Sequence, residues 1–218
     1  MSYWYHGYKK CLDFIYPPLC LHCDSYISEG AILFCPSCSC FFDYLPPDQS
    51  DQAACFAYTD SVATFVKALK GKRMPFLAKT AAALLLVHFD RLDWPSPDLI
   101  VPVPCRALLP YNDHVYMMAG YLSRWLKRKR IQPIRRRRGR PRQASLSKEE
   151  RMTLSSQDFM LKRTKRIAGK KILLIDDVMT TKSTVRALSS LLEEGGGTKV
   201  YSLSVAESLL APATCTSP

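Results

Sequence analysis

From about residue 53 onward, apolar positions recur in patterns that predict alternating strands and helices. Val62–Lys70 and Pro75–Phe89 carry apolar residues at the spacing of one helix face. The apolar runs Asp98–Pro104 and Lys171–Ile175 are typical of strands buried in a parallel sheet. Two further strands are predicted at Cys55–Tyr58 and Lys199–Ala206. Two further helices are predicted at Val115–Lys129 and Ser183–Glu194. Because strands alternate with helices, we predict an α/β fold built from parallel βαβ units.

The N-terminal part of the chain has a different composition and is expected to form a separate module. It holds six of the nine cysteines and ends in the polar, proline-containing stretch Pro46–Gln52, which is typical of a domain boundary. A chain of 218 residues has room for one core of ordinary size and a small appendage. We therefore predict a cysteine module at residues 1–50, an α/β domain at 51–210 and a disordered tail at 211–218. The arginine-rich stretch 135–157 lacks apolar periodicity and is expected to be a long loop or flap.

Four of the N-terminal cysteines have the spacing of a zinc site. Cys20-x-x-Cys23 and Cys35-x-x-Cys38 are separated by eleven residues, and each two-residue gap forms a tight turn that directs both sulfurs inward. Four thiolates fill the tetrahedral coordination of Zn²⁺ and leave no position for a reacting water, which predicts a structural site. In so small a module, metal binding would supply much of the folding free energy. Two disulfides or a decayed site are the alternatives, and two nearby cysteines without the paired spacing keep the ligand assignment open, Cys11 and Cys40.

The formal net charge of +12 arises largely from two basic segments. The first has no acidic residue and contains Arg124, Lys127, Arg128, Lys129, Arg130, Arg135, Arg136, Arg137, Arg138, Arg140 and Arg142. The second contains Lys162, Arg163, Lys165, Arg166, Lys170 and Lys171. Such clusters attract nucleic acid, phosphorylated small molecules or anionic membrane surfaces, and a solvated basic surface is the structural alternative.

No segment is apolar for the length of a membrane span, since Lys79 and Thr80 interrupt the longest candidate, Phe76–Phe89. The N-terminus lacks the charged start, apolar middle and cleavage site of a secretory signal. We therefore expect a soluble, cytoplasmic protein. Thiols stay reduced in that compartment, which favours metal ligation over disulfides for clustered cysteines.

The segment Ile172–Thr184 combines a buried strand, two adjacent carboxylates and several hydroxyls ahead of a predicted helix. Ligands of open α/β sheets bind at the carboxyl ends of the strands, where this strand would deliver Asp176 and Asp177. The two carboxylates can accept hydrogen bonds from ribose hydroxyls, while threonine hydroxyls and backbone N–H groups at the helix start can bind a phosphate. The candidate ribose-phosphate site comprises Asp176, Asp177, Val178, Met179, Thr180, Thr181, Lys182, Ser183 and Thr184. The alternative is a strand end followed by an ordinary Thr or Ser helix cap.

This segment resembles the phosphoribosyl pyrophosphate signature of type I phosphoribosyltransferases, in which four apolar residues, two acidic residues, Thr-Thr-Gly and a further Thr follow one another. The whole chain resembles the ComF family of competence-associated phosphoribosyltransferase-like proteins. Three more segments carry the resemblance. They are the run that leads into the first cysteine pair, Phe14–Cys20, the strand with its proline loop, Asp98–Pro104, and the flap, Gln143–Arg151 followed by Phe159. The resemblance implies a type I phosphoribosyltransferase-like parallel sheet flanked by helices, preceded by a small zinc-ribbon-like module. It also implies phosphoribosyl pyrophosphate as ligand, with Mg²⁺ held mainly by pyrophosphate and ribose oxygens.

The chain departs from the family pattern near the expected pocket. Lys182 replaces the glycine of the signature loop, which adds a side chain where backbone would approach phosphate. Leu109–Asp113 stands where the family has Arg-Gly-Phe-Asn-Gln, so an arginine beside the pyrophosphate is missing. Leu154 stands at an Asn position of the family's flap. Ligand binding is therefore a more direct expectation than turnover.

Two functions of different classes follow from these features. The first is an enzyme, a phosphoribosyltransferase whose acceptor base the sequence does not identify. The second is a noncatalytic, single-stranded DNA-binding accessory protein in DNA uptake during natural transformation, with a DNA-uptake helicase as partner; the resemblance implies this role, and the basic segments fit it. A degenerate relative that keeps only the fold is a third alternative. Three other side chains are expected to be structural, with His88 and His114 as ordinary polar or partly buried residues and Trp125 as core packing.

Overall fold

The protein is described here by a computed structural model that covers residues 18–27, 33–47, 49–71, 76–104, 113–136, 159–162, 164–180 and 182–208. The strands in these ranges are β1 Gln52–Ala57, β2 Leu99–Pro102, β3 Lys129–Arg130, β4 Ile134–Arg136, β5 Phe159–Leu161, β6 Lys171–Met179 and β7 Lys199–Glu207. The α-helices are α1 Pro36–Ser39, α2 Asp60–Lys70, α3 Leu77–Arg91, α4 His114–Trp125 and α5 Lys182–Glu194, and a 3₁₀ turn covers Thr164–Arg166. The predicted alternation of strands and helices is confirmed.

Five parallel strands form the central sheet in the order β1-β7-β6-β2-β3. β6 lies in the middle of this order, and its apolar residues from Ile172 to Ile175 are buried, as the continuous apolar run predicts. β2 pairs only with the first part of β6, from Leu99 opposite Ile172 to Pro102 opposite Ile175. β4 and β5 form a separate antiparallel pair. The predicted parallel sheet is therefore confirmed.

Helices cover both faces of the sheet. On the first face, Leu173 and Ile175 of β6 belong to a buried cluster with side chains of α2, α3 and α4. On the second face, Ile172 and Leu174 belong to a cluster with the buried side of α5 and with β4 and β5. Alternate residues of one strand thus contribute to two cores, which is the arrangement of an α/β fold with three layers. Trp125 packs against the first cluster, in agreement with its expected structural role.

β6 is longer than the predicted strand. The sequence pattern predicts a strand that ends at Ile175, with the carboxylates in the following loop, but the strand continues to Met179. The reason is the neighbouring strand β7, which pairs Asp176 with Ser204 and Met179 with Glu207. Pairing with a long partner holds polar residues in extended conformation, and the hydrophobic pattern of β6 alone does not reveal that partner.

α4 is shorter than the predicted helix, which extended to Lys129. It ends at Trp125 because Lys127 adopts a left-handed conformation with φ of 53°. The Arg128 N–H then donates to the Ser123 carbonyl at 3.0 Å, which is the hydrogen bond of a Schellman motif. The chain continues directly into β3 at the edge of the sheet. A two-residue strand has no periodicity, so apolar spacing could not separate it from the helix.

The cysteine-containing segment packs against the α/β part through aromatic side chains. The ring centroids of Phe34 and Phe65, a residue of α2, are 6.5 Å apart. Those of Phe42 and Phe56, a residue of β1, are 5.3 Å apart. His22 Nδ1 lies 2.8 Å from Thr64 Oγ1, also on α2. The segment therefore adds to the core on the first face of the sheet, and the predicted domain division at residue 50 stays a prediction.

Two predicted irregular segments lie mainly outside the described residues. These are the tail 211–218 and the part of the flap from 137 to 158. Arg135 and Arg136, the first residues of the predicted loop, belong instead to β4, where they pair with β5. Within the described ranges, no helix combines the length and the apolar character that a membrane crossing requires.

Candidate functional site

The two adjacent aspartates lie beyond the end of β2, at the carboxyl edge of the sheet. The last pair between β2 and β6 joins Pro102 to Ile175, and the Val103 N–H donates to the Ile175 carbonyl at 2.8 Å. Asp176 and Asp177 come next on β6, with β7 continuing on the other side. The helix after β2 packs on the first face of the sheet and the helix after β6 packs on the second. The chain therefore diverges between β2 and β6, and ligands of open α/β sheets bind at such switch points.

Asp177 contacts nitrogen-bearing side chains from two other elements. Its Oδ2 atom lies 2.5 Å from Nε2 of His114, the first residue of α4. The same oxygen lies 3.4 Å from Nζ of Lys70, the last residue of α2. The side chains of His114 and Asp177 are 14% and 13% exposed, whereas that of Lys70 is 48% exposed. A largely buried carboxylate is thus paired with a largely buried imidazole and with a half-exposed ammonium group.

The two carboxyl groups differ in their ionisation although they are neighbours. Burial, followed by the charge of Asp177, raises the pKa of Asp176 to about 7. Burial also opposes the ionisation of Asp177, but the hydrogen bond with His114 and the Lys70 charge hold its pKa below the ordinary value. Asp176 Oδ1 accepts a hydrogen bond from the Asp177 N–H at 2.8 Å. Near neutral pH, the site therefore combines an ionised carboxylate at Asp177 with a carboxyl at Asp176 that can donate or accept a hydrogen bond.

The remaining residues of the candidate site fall into two groups. Val178 packs against the core on the first face and Met179 is buried, so both contribute to the strand and its packing. Thr180 is exposed, and Ser183 and Thr184 are partly exposed in the first turn of α5. Thr181 lies outside the described residues. The polar part of the predicted loop is therefore accessible, whereas its apolar part is structural.

Lys182 is the first residue of α5 and forms an ion pair. Its Nζ atom lies 3.2 Å from Oε1 of Glu207, the last residue of β7. The first turn of α5 contains no acidic residue, so no carboxylate of that turn competes for its backbone N–H groups. The beginning of α5 can therefore bind an anion, while Glu207 balances the Lys182 charge.

The four paired cysteines converge in the N-terminal segment. The sulfurs of Cys20, Cys23, Cys35 and Cys38 all lie within 4.8 Å of one another. Those of Cys23 and Cys35 are 3.6 Å apart, close to the ~3.8 Å that a tetrahedral site with Zn–S bonds of about 2.3 Å requires. Cys40 does not belong to this cluster, since its thiol donates to the Ser37 carbonyl at 2.8 Å. The described cysteines are free thiols, so the four-sulfur cluster can hold a metal ion.

Comparison with known proteins gives similarity to solved structures only. No protein-family model and no curated protein sequence matches the chain. One similar structure is glutamine phosphoribosylpyrophosphate amidotransferase from B. subtilis, with 18% identity, a TM-score of 0.43, and coverage of 62% of this chain and 28% of that one. Adenine phosphoribosyltransferase from Leishmania donovani has 18% identity and a TM-score of 0.44, with coverage of 67% and 56%. The Thermoanaerobacter pseudethanolicus enzyme of the same name has 13% identity and a TM-score of 0.42, with coverage of 78% and 98%.

Two residues of the site were not foreseen from the sequence. His114, expected to be an ordinary polar or partly buried residue, is partly buried and in addition contacts Asp177 directly. Its position at a helix start, soon after the proline loop of β2, was the available signal, because that loop begins at the carboxyl edge of the sheet. Lys70 lies at the end of a helix more than a hundred residues earlier, and no local pattern connects it with Asp177.

Proposed function

We propose that the chain is a ComF-like protein that binds phosphoribosyl pyrophosphate or a related ribose phosphate. The observation that carries the proposal is the position of Asp176 and Asp177, at the switch point between β2 and β6 and just before the start of α5. Two neighbouring carboxyl groups match the adjacent hydroxyls of a ribose, and the start of a helix matches its phosphate. A helix cap alone would require neither carboxyl group, so this arrangement supports a ligand site over a purely structural strand end.

Each part of the site has a distinct role in this proposal. Asp177 accepts a hydrogen bond from one ribose hydroxyl, and Asp176 bonds a second. Hydroxyls and backbone N–H groups from Thr180 to Thr184 bind the 5′-phosphate. Mg²⁺ would be held mainly by pyrophosphate and ribose oxygens rather than by protein groups, and it would neutralise pyrophosphate charge. The four-cysteine cluster would hold a structural Zn²⁺ away from this chemistry.

Titration calorimetry of phosphoribosyl pyrophosphate with Mg²⁺ tests the proposal. We expect saturable binding to the unmodified chain and a loss of affinity of about 10-fold or more for Asp176→Asn combined with Asp177→Asn, because a hydrogen bond to a charged group contributes about 1.5–3 kcal/mol. Asp93→Asn is the matched control, since this exposed aspartate lies outside the proposed site. No binding to the unmodified chain, or equal binding to the double variant, would contradict the proposal.

Enzymatic turnover is a finer version of the same proposal. The reaction would break the bond between ribose C1 and pyrophosphate and form a bond from C1 to a nucleobase nitrogen. Lys182, at the glycine position of the resembled signature, pairs with Glu207 at 3.2 Å. Release of pyrophosphate in a screen of nucleobases would identify a phosphoribosyltransferase. Binding without release in the whole screen would indicate a noncatalytic receptor.

A second candidate function is single-stranded DNA binding in natural transformation, with a DNA-uptake helicase as partner. The observation that favours it is a group of exposed basic residues away from the aspartates. Lys129 begins β3, and Lys170 precedes β6, so both lie at the amino edge of the parallel sheet. Other exposed basic residues of these segments are Arg124, Lys127, Arg128, Arg135, Arg136, Lys162, Lys165 and Arg166. Such a surface can contact a phosphate backbone without base specificity.

Fluorescence anisotropy with a labelled oligothymidylate tests the DNA hypothesis. We expect binding that weakens steeply as salt increases, and weaker binding by Lys129→Ala combined with Lys170→Ala. Lys67→Ala combined with Lys79→Ala, which removes two exposed lysines outside the basic segments, serves as the charge-matched control. Lys129 and Lys170 lie at the amino ends of the parallel strands, whereas the aspartates lie near the carboxyl ends. Saturating phosphoribosyl pyrophosphate with Mg²⁺ should therefore not displace DNA that these two lysines bind. Binding that is absent at low salt, or insensitive to salt, would rule this function out.

A further inference from the structure

Three separate chain segments meet at a single oxygen of Asp177. Oδ2 lies 2.5 Å from His114 Nε2 on α4 and 3.4 Å from Lys70 Nζ on α2. The strand pairing of β6 uses backbone groups and requires neither side chain. Both contacts instead restrain the carboxylate itself. The two contacts therefore bear on how the site presents Asp177 to a ligand.

The position of His114 is fixed by the start of its helix. Asp113 caps α4, with its Oδ1 accepting from the Tyr116 N–H at 3.0 Å. Val115 and Met118 are buried in the core of the first face, which sets the rotation of the helix about its axis. With both the cap and the buried face determined, the imidazole is held beside β6. Its contact with Asp177 is thus part of the folded framework.

We propose that His114 and Lys70 are positioning residues for the ribose-phosphate ligand, which they serve by fixing Asp177 Oδ2 so that Oδ1 meets a ribose hydroxyl. The inference rests on the proposed function and extends it. Carboxylates that are fixed in advance bind a hydroxyl without losing side-chain entropy at that step. A restrained Asp177 should therefore discriminate a ribose from a deoxyribose that lacks one hydroxyl, and the chemical class selected is a phosphorylated ribose.

The same arrangement predicts how acid affects binding. Asp177 is faced by His114 from α4, Lys70 from α2 and Asp176 from β6, while Asp113 acts on Asp176. Lys182 and Glu207, at the neighbouring ends of α5 and β7, pair with each other. Removing the His114 hydrogen bond removes a contact that lowers the pKa of Asp177. The variant should then lose ionised Asp177, and with it ligand affinity, at a higher pH than the unmodified chain.

The test compares four variants of the full chain by calorimetry. His114→Ala and Lys70→Ala each remove one contact, whereas His114→Gln keeps an N–H donor in place of the imidazole. Lys67→Ala removes a charge from the same last turn of α2 and is the matched control. The probes are phosphoribosyl pyrophosphate with Mg²⁺, ribose 5-phosphate and 2-deoxyribose 5-phosphate, each from pH 5 to pH 8. Circular dichroism confirms that each variant is folded.

We expect His114→Ala to bind phosphoribosyl pyrophosphate about 10-fold more weakly, in line with one charge-assisted hydrogen bond. Its ratio of ribose to deoxyribose affinity should fall, its loss of affinity in acid should begin at a higher pH, and His114→Gln should recover most of the affinity at pH 8. Equal weakening for both sugars without a shift of the pH profile, or no weakening at all, would overturn the positioning role. If the unmodified chain binds none of the probes, the proposed function fails, and this inference fails with it.

Discussion

At the scale of single residues, the ionisation of Asp176, a residue of the proposed ligand site, lowers the stability of the folded chain. Its pKa in the folded chain is about 7, compared with 3.8 for the free side chain, because burial and the neighbouring Asp177 disfavour its charge. Between these two pH values, the folded chain binds more protons than the unfolded chain. The free energy of unfolding therefore decreases as pH rises from about 4 to about 7, and the full cost applies above that range.

Asp176→Asn should accordingly stabilise the folded chain at pH 8. The gain in unfolding free energy should be on the order of 4 kcal/mol, which is what a pKa of about 7 in place of 3.8 corresponds to. It should shrink towards zero near pH 4, where the aspartate is largely protonated in both states. The asparagine Oδ1 can still accept from the Asp177 N–H, so the local hydrogen bond survives. Urea unfolding at pH 4 and pH 8 measures the effect, with Asp93→Asn as control. A change of equal size at both pH values would contradict it.

At the scale of secondary-structure elements, α4 connects the candidate site with β3, the outermost strand of the sheet. Its first residue, His114, contacts Asp177, and the chain just after its end forms β3. Arg130 of β3 lies over the Tyr116 ring at 3.7 Å and donates to the Tyr116 carbonyl at 2.7 Å. Gly120 leaves room for this guanidinium, since a Cβ there would lie 2.4 Å from Arg130 Nη1. These contacts hold the first half of the helix, and the pairing of β3 with β2 holds the chain that follows its end.

The end of α4 offers a test of backbone conformation. Lys127 has a φ of 53°, and a left-handed conformation costs a non-glycine residue roughly 1–2 kcal/mol. Lys127→Gly removes this cost but increases the freedom of the unfolded chain, so we expect a net gain of about 0.5–1 kcal/mol. Lys127→Ala, which keeps a Cβ, should bring no comparable gain. Urea unfolding of the two variants measures the difference, and equal stability would show that the left-handed turn carries no strain.

At the scale of the whole molecule, α2 lies between the cysteine segment and the candidate site. Thr64 and Phe65 of this helix contact His22 and Phe34 of the cysteine segment. The last residue of the helix, Lys70, contacts Asp177. The structure of the four-cysteine cluster therefore affects packing beyond its own small core.

The cluster predicts a defined metal content. We expect about one zinc per chain by inductively coupled plasma mass spectrometry. Chelation should lower the melting temperature, because without a metal the four sulfurs no longer link the two cysteine pairs. Cys38→Ser should lose the metal and the same stability. Cys40→Ser is the matched control, since Cys40 lies outside the cluster, and it should keep both. Far less than one zinc per chain in the unmodified protein would contradict the prediction.

Much of the fold could be predicted because its signals are local. The apolar run of β6, the helical spacing of α2 and α3, and the glycines after α5 each reflect a regular backbone whose side chains meet a core at a fixed period. The Asp-Asp pair was recognisable for the same reason, since it directly follows the apolar run. The cysteine pairs were recognisable because a metal site requires a short turn between ligands. These features depend on residues that are near one another in the chain.

Other features depend on residues that are distant in the chain, and packing alone set them. β6 extends through both aspartates because β7 pairs along its whole length, and α4 ends early because the chain must reach the edge of the sheet. His114 and Lys70 reach Asp177 from helices whose positions are fixed by their buried faces. No period or motif encodes the distance between two such side chains, because that distance results from how whole elements pack. The candidate site is therefore a local motif completed by two side chains that only the folded arrangement brings to it.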